Sequence, residues 1–232
     1  MKTLLMLCAT AALAAAQAAP PACCPERPAT EKQQLLWQGL EGRIKDVEKG
    51  LDGALAVALQ DLTTGQQLLL HADEIMPTAS TIKIAVLAEL YRQSQEGKGA
   101  SLGDAYALDP ADIVPDSRIL ERLAPGTRLT NRDLAVFMTS VSDNSATNIL
   151  IDHVGMENVN AMLARQGLHG TRLRRKMMDL KAARQGRENV ATPRELVTLL
   201  AAIYQGKLLN QAMMDDFFKK FADEVAKPCP TS

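Results

Sequence analysis

Pro77-Thr78-Ala79-Ser80-Thr81-Ile82-Lys83 opens a long apolar run that continues as Ile84-Ala85-Val86-Leu87-Ala88-Glu89-Leu90-Tyr91. Ser80 and Lys83 stand three apart, so a helix starting here places the two side chains on one face, a turn apart. The residues from Ile82 to Tyr91 are apolar on almost every side, which predicts a buried central helix. Burial disfavours the charged form of an amine and lowers its pKa. A neutral amine beside a hydroxyl can take its proton, which makes Ser80 a candidate nucleophile and Lys83 its base. The spacing alone carries little weight. With eight Ser and twelve Lys in 232 residues, roughly 0.4 such pairs arise by chance, and a helix N-cap serine followed by a solvent-seeking lysine explains it as well.

Composition sets the frame. The chain is 47% hydrophobic and 23% charged with a net charge of −1, which is globular and gives no electrostatic reason to expect a nucleic-acid partner. Residues 1–19 read as a secretory signal: Lys2, a short apolar core from Leu4 to Ala16, and Ala16-Gln17-Ala18 as a cleavage site. The apolar core is short for a membrane span, so the expectation is a secreted or periplasmic protein with no stable membrane span. Residues 20–34 follow as a leader rich in Pro and Cys. Cys23, Cys24 and Cys229 permit a disulfide with one thiol left over, or a lipid anchor on Cys23. The histidines are scattered and there is no C-x-x-C, so neither a metal nor another cofactor is expected.

Other elements follow from the periodicity. Leu36, Leu40, Ile44, Val47 and Leu51 recur at steps of four and three after Thr30-x-x-Gln33, which predicts a capped amphipathic helix over 30–51. Ala54 to Leu59, the turn Asp61-Leu62-Thr63-Thr64-Gly65, and Gln67 to His71 predict a β-hairpin. Residues 100–130 are punctuated by Pro110, Pro115, Pro125 and Gly126 and read as loop. Thr130-x-x-Asp133 caps a helix to Val141. A second helix runs from Asn144 or Ser145 to His153, a third from Met156 to Gly167. Thr192-Pro193 and Asn210 open two more.

Between two of these helices stands Ser142-Asp143-Asn144, expected by chance only about 0.02 times. Each residue is a common helix cap, but their joint presence some 60 residues after Ser80-x-x-Lys83 is not explained by capping. The two motifs in this order resemble the class A β-lactamases and penicillin-binding proteins. Ser142 to Gly155 (Ser-Asp-Asn-Ser-Ala-Thr-Asn-Ile-Leu-Ile-Asp-His-Val-Gly) is similar to that family around its second motif, and the similarity covers roughly residues 35–225. The resemblance implies the serine β-lactamase (D,D-peptidase-like) fold, an α/β part joined to an all-α lobe. Residues 35–75 would form the helix-plus-hairpin part, residues 76–213 the helical lobe, and residues 214–232 a return to the α/β part.

The resemblance also implies roles. Ser80 matches the acylated nucleophile and Lys83 its base. Ser142 matches the hydroxyl that passes a proton to the leaving nitrogen. Asn144 matches the amide that orients substrate, and Asp143 matches a structural residue that holds the loop. Two departures stand out. The family's Ω-loop glutamate, which activates the water for deacylation, falls by gapless counting on Lys176, and the nearest acids are Asp179 and Glu188. The third motif, Lys-Thr/Ser-Gly, is absent, so the chain reads as a member short of its last strands and final helix. The expected activity is opening of β-lactams through an acyl enzyme. The rival readings are a D-Ala-D-Ala carboxypeptidase or penicillin-binding protein, and a non-catalytic remnant. The partners expected are a small-molecule β-lactam or a cell-wall peptide, no nucleic acid, and no second subunit: a monomer.

Overall fold

The computed structural model describes residues 30–225. The segment read as a secretory signal, Cys23, Cys24 and Cys229 therefore lie outside the described residues.

The chain runs α1 (Glu31–Gly50), β1 (Val57–Gln60), β2 (Gln67–Leu70), β3 (Met76–Pro77), α2 (Lys83–Glu96), β4 (Ala105–Ala107), β5 (Arg128–Thr130), α3 (Asn131–Ser140), α4 (Asn144–Val154), α5 (Met156–Arg165), α6 (Leu180–Arg184), β6 (Val190–Ala191), α7 (Pro193–Tyr204) and α8 (Gln211–Val225). The centre is α2, entered by a 3₁₀ turn over Ala79–Ile82 that holds Ser80. Ile82, Ala85, Val86, Leu87, Ala88 and Leu90 are fully buried and Tyr91 nearly so. Each large apolar side chain buried this way contributes about 1.5–3 kcal/mol. One buried carboxylate sits among them: Glu89 accepts from Arg92 Nε and Nη2 and from Gln93 Nε2, each at 2.7 Å. Buried charges are tolerated when satisfied in this way. The helix stops at Gly97, whose φ of 63° is the left-handed geometry that a residue without Cβ adopts most cheaply.

Around α2 pack α3, α4, α5 and α8. Thr130 and Asp133 form the predicted capping box of α3, and Asp143 caps α4. From α8, Met214 and Phe217 enter the core, where Phe217 meets Tyr91 edge-on at 5.6 Å. The last described helix thus belongs to the helical core.

Among the described residues the sheets are three short antiparallel pairs: β1–β2, β3–β6 and β4–β5. The β1–β2 hairpin pairs Val57 with Leu70 through Gln60 with Gln67. Its turn is closed by Asp61 Oδ1, which accepts from Thr63 N at 2.7 Å, and by Gly65 at φ 71°. The hairpin lies on α7, and Leu59, Leu62, Val197, Leu200 and Phe218 line an apolar cavity of about 300 Å³ between them. The amphipathic α1 has the predicted capping box but buries none of its residues, and Leu36, Leu40, Val47 and Leu51 stay exposed. The small β3–β6 pair is the one that matters for the site. It ties Pro77 to Val190 and Met76 to Ala191, fixing the strand that leads into Ser80.

Candidate active site

Ser80, Lys83, Ser142 and Asn144 meet at the N-terminal ends of α2 and α4. Lys83 is only 5% exposed. Its Nζ donates to Ser142 O and Ser142 Oγ, both at 2.8 Å, and to Asn144 Oδ1 at 3.1 Å. Ser142 Oγ in turn donates to Ser80 Oγ at 2.9 Å. The amine therefore reaches the candidate nucleophile through the Ser142 hydroxyl. Ser80 itself is exposed at the mouth.

Three donors on three acceptors are the full complement of an ammonium group. Burial nevertheless pushes the Lys83 pKa down from 10.5 to about 8, against the opposing charge of nearby Asp143. When one proton leaves, the nitrogen gains a lone pair and the chain can reverse: Ser80 donates to Ser142, and Ser142 donates to Lys83. The same three atoms can carry a proton either way.

Asp143 points away from this chain. It is fully buried, and its carboxylate accepts from Ile119 N (2.8 Å), Leu120 N (3.1 Å) and Ala146 N (3.0 Å). It joins the start of α4 to the loop over residues 113–120. Ser145 and Ser117 make a second joint: their hydroxyls lie 2.6 Å apart, and Val114 N donates to Ser145 Oγ at 2.8 Å. That loop brings Pro115 O to 3.5 Å from Asn144 Nδ2.

The loop from 172 to 189 is fixed by two asparagines. Asn148, one turn beyond Asn144 on α4, accepts from Met177 N at 2.7 Å and donates to Met177 O at 3.1 Å. Asn189 Oδ1 accepts from Arg174 N (2.7 Å) and Arg175 N (3.0 Å), while Asn189 O accepts from Thr78 N at 3.0 Å. Neither asparagine figured in the sequence reading. Asn148 was detectable as the i+4 neighbour of Asn144, whereas Asn189 gives no local signal because its partners lie 14, 15 and 111 residues away. In this loop Lys176 turns to Asp152 at 2.6 Å. Asp179 caps α6 through Ala182 N, and Glu188 pairs with Arg175 Nε at 2.9 Å. Both acids considered for deacylation thus have partners of their own.

Among the described residues, five non-glycine residues have positive φ: Ala79 (44°) and Ser142 (59°) lie beside or in the site, Asp116 (60°) follows Pro115 and Met178 (62°) follows Met177, and His71 (47°) lies apart. Each costs about 1–3 kcal/mol and persists only where its surroundings hold it.

The sequence model of the beta-lactamase enzyme family matches residues 39–228. The chain belongs to that family. Among relatives, beta-lactamase CTX-M-25 of Escherichia coli is 32% identical over 163 residues, covering 70% of this chain and 54% of its own length. Beta-lactamase CARB-3 of Pseudomonas aeruginosa is 27% identical over 177 residues, covering 75% and 61%. The chain thus spans little more than half the length of these family members. A beta-lactamase structure from Sphaerobacter thermophilus superposes with a TM-score of 0.74 at 30% identity over 81% of this chain and 70% of that one. PBP-A superposes with a TM-score of 0.72 at 27% identity, covering 87% and 72%. A variant of PBP-A at TM-score 0.69 is an acyl-enzyme complex with penicillin G. The serine β-lactamase-type fold expected from the two motifs is the fold found.

Proposed function

We propose that this family member reacts with β-lactams by acylation of Ser80. The supporting observation is the unbroken chain from Lys83 Nζ to Ser142 Oγ at 2.8 Å and on to Ser80 Oγ at 2.9 Å. Neutral Lys83 draws the Ser80 proton through Ser142, and Ser80 Oγ attacks the lactam carbonyl carbon. The carbon–nitrogen bond then breaks. The proton held on Lys83 returns through Ser142 to the leaving nitrogen, so no proton is gained or lost in forming the acyl ester. In this reading Asn144, hydrogen-bonded to both Lys83 Nζ and the Pro115 carbonyl, orients the substrate's amide.

Release is the slow step in this reading. Lys176 faces Asp152, Asp179 is a helix cap and Glu188 is held by Arg175. Each of the three is engaged by at least one contact of its own, and this favours a long-lived acyl enzyme. A D-Ala-D-Ala peptidase of the penicillin-binding type is the second reading, and the same feature supports it. The protein would act as a monomer in a secreted or periplasmic setting.

Fluorescent penicillin labelling with intact-mass detection tests the proposal. One penicillin should attach to the protein, and Ser80→Ala should attach none. Equal labelling of both would refute it.

A further inference from the structure

Val114-Pro115-Asp116-Ser117 makes a turn with Pro115 and Asp116 at its corner. Proline at the second position and a positive φ at the third, 60° at Asp116, are the marks of a type II turn. That third position is normally taken by Gly or Asn, which reach positive φ at little cost. Asp116 is exposed, and among the described residues its carboxylate has no hydrogen-bond or ion-pair partner. The conformation is therefore held from elsewhere.

Two serines hold it. Ser117 and Ser145 are both fully buried. Ser117 Oγ donates its one proton to Val114 O at 2.6 Å, so the 2.6 Å contact between the two hydroxyls is a bond donated by Ser145 Oγ. Ser145 Oγ accepts from Val114 N at 2.8 Å, and Ser117 Oγ accepts from Ser145 N at 3.0 Å. The ring closes on itself. Both backbone groups of Val114 and every proton of the two hydroxyls are used, and the turn is tied to the first residues of α4.

The turn carries the Pro115 carbonyl, whose direction depends on the turn type. Types I and II differ by about 150° in ψ of the second residue, which swings this carbonyl to the other side. Here it lies 3.5 Å from Asn144 Nδ2, a distance too long for a strong hydrogen bond. Such a contact follows from the placement of the turn and does not secure it. The other end of the Asn144 amide is settled, because Lys83 Nζ only donates and so faces Oδ1, at 3.1 Å. Nδ2 is left between the Pro115 carbonyl and the substrate.

We propose that Ser117 and Ser145 are positioning residues: they hold the Pro115–Asp116 peptide in its type II orientation, so that the Pro115 carbonyl sets the Asn144 amide for the side-chain amide of the substrate. Released, the peptide relaxes toward type I, Asp116 returns to negative φ, and the carbonyl leaves Asn144. The effect falls on β-lactams that carry an acylamino side chain and spares those that do not. The effect on substrates rests on the acylation reading given above; the hold on Asn144 does not.

Intact-mass acylation rates with penicillin G and with 6-aminopenicillanic acid, which lacks the side-chain amide, test this. Ser117→Ala should lower the ratio of the two rates about tenfold, the scale of one hydrogen bond, with the 6-aminopenicillanic acid rate changed less than about twofold. Adding Asp116→Gly, which accepts positive φ, should recover most of the ratio. If Ser117→Ala does not fold, the exposed Asp116→Val gives the same readout, since a β-branched residue disfavours positive φ. Asp116→Asn should keep the ratio within about twofold, which separates turn geometry from the loss of a charge. A second readout needs no substrate: the side-chain N–H pair of Asn144 in ¹⁵N spectra, identified by its loss in Asn144→Asp, should shift in Ser117→Ala and in Asp116→Val. An unchanged ratio, equal losses with both substrates, or an unshifted Asn144 pair would overturn the positioning role. A wild type that neither compound acylates, with the Asn144 pair still shifting in the variants, would sink the acylation reading and leave the hold on Asn144 standing.

Discussion

The pH profile of acylation is the sharpest consequence of the Lys83 environment. Burial lowers the amine to about 8, so roughly a tenth of it is neutral at pH 7 and nine tenths at pH 9. If the neutral amine starts the reaction, the second-order rate with a fluorescent penicillin should rise about tenfold across that interval and then level. An amine left at 10.5 would give a rise of about a hundredfold with no plateau. Stopped-flow or quenched labelling from pH 6 to 10 distinguishes the two. Lys83→Ala should lose about 10²–10⁴ in rate together with the rise. Folding is coupled to the same proton. Below about pH 8 both the folded and the unfolded lysine are charged, and the cost of burying that charge is fully present. Between about 8 and 10.5 only the unfolded chain keeps the proton, so stability should increase by about 3 kcal/mol in total. A rate that is flat between pH 7 and 9 would remove Lys83 from the mechanism.

Asn189→Ala removes the acceptor of two backbone N–H groups and should lower stability by about 2–4 kcal/mol, read as a shift in the denaturant midpoint. Ala79→Gly relieves the positive φ and should raise the melting temperature by a few degrees, about 1 kcal/mol. The acyl enzyme should outlast removal of free penicillin, with the added mass persisting for minutes or longer. Rapid loss of that mass, itself abolished by Asp179→Asn or Glu188→Gln, would identify a working base in the 172–189 loop.

The buried run from Ile82 to Tyr91 and the capping signals at Thr30, Thr130 and Thr192 were legible because a helix writes its core face and its ends into a short window. The Ser80, Lys83, Ser142 and Asn144 grouping was legible through two spaced motifs. The hydrogen-bond path between them was not. Spacing suggested that Lys83 acts on Ser80 directly, while the fold places the Ser142 hydroxyl between them, and only the relative placement of α2 and α4 decides that. The pairs β3–β6 and β4–β5 were missed because strands of two and three residues have no periodicity to read. Gapless counting placed Lys176 in the glutamate position. The structure turns Lys176 outward to Asp152 and gives the buried place against Asn148 to Met177, an outcome that depends on a contact across 29 residues.

The exposed α1 helix divides the molecule by timescale. A helix of twenty residues that buries nothing depends, among the described residues, on its own backbone bonds, a capping box worth about 1 kcal/mol, the intrahelical pairs Glu41–Lys45 and Asp46–Lys49, and a link from Glu48 to His71. Its amides can open without disturbing α2, whose amides are freed only when the core comes apart. Hydrogen exchange should therefore proceed through two separate events, with the protons of Leu36 to Val47 lost by local fraying long before those of Val86 to Tyr91. A protease would follow the same order, cutting at Lys45 or Lys49 and leaving a chain from the hairpin onward that still melts as one unit.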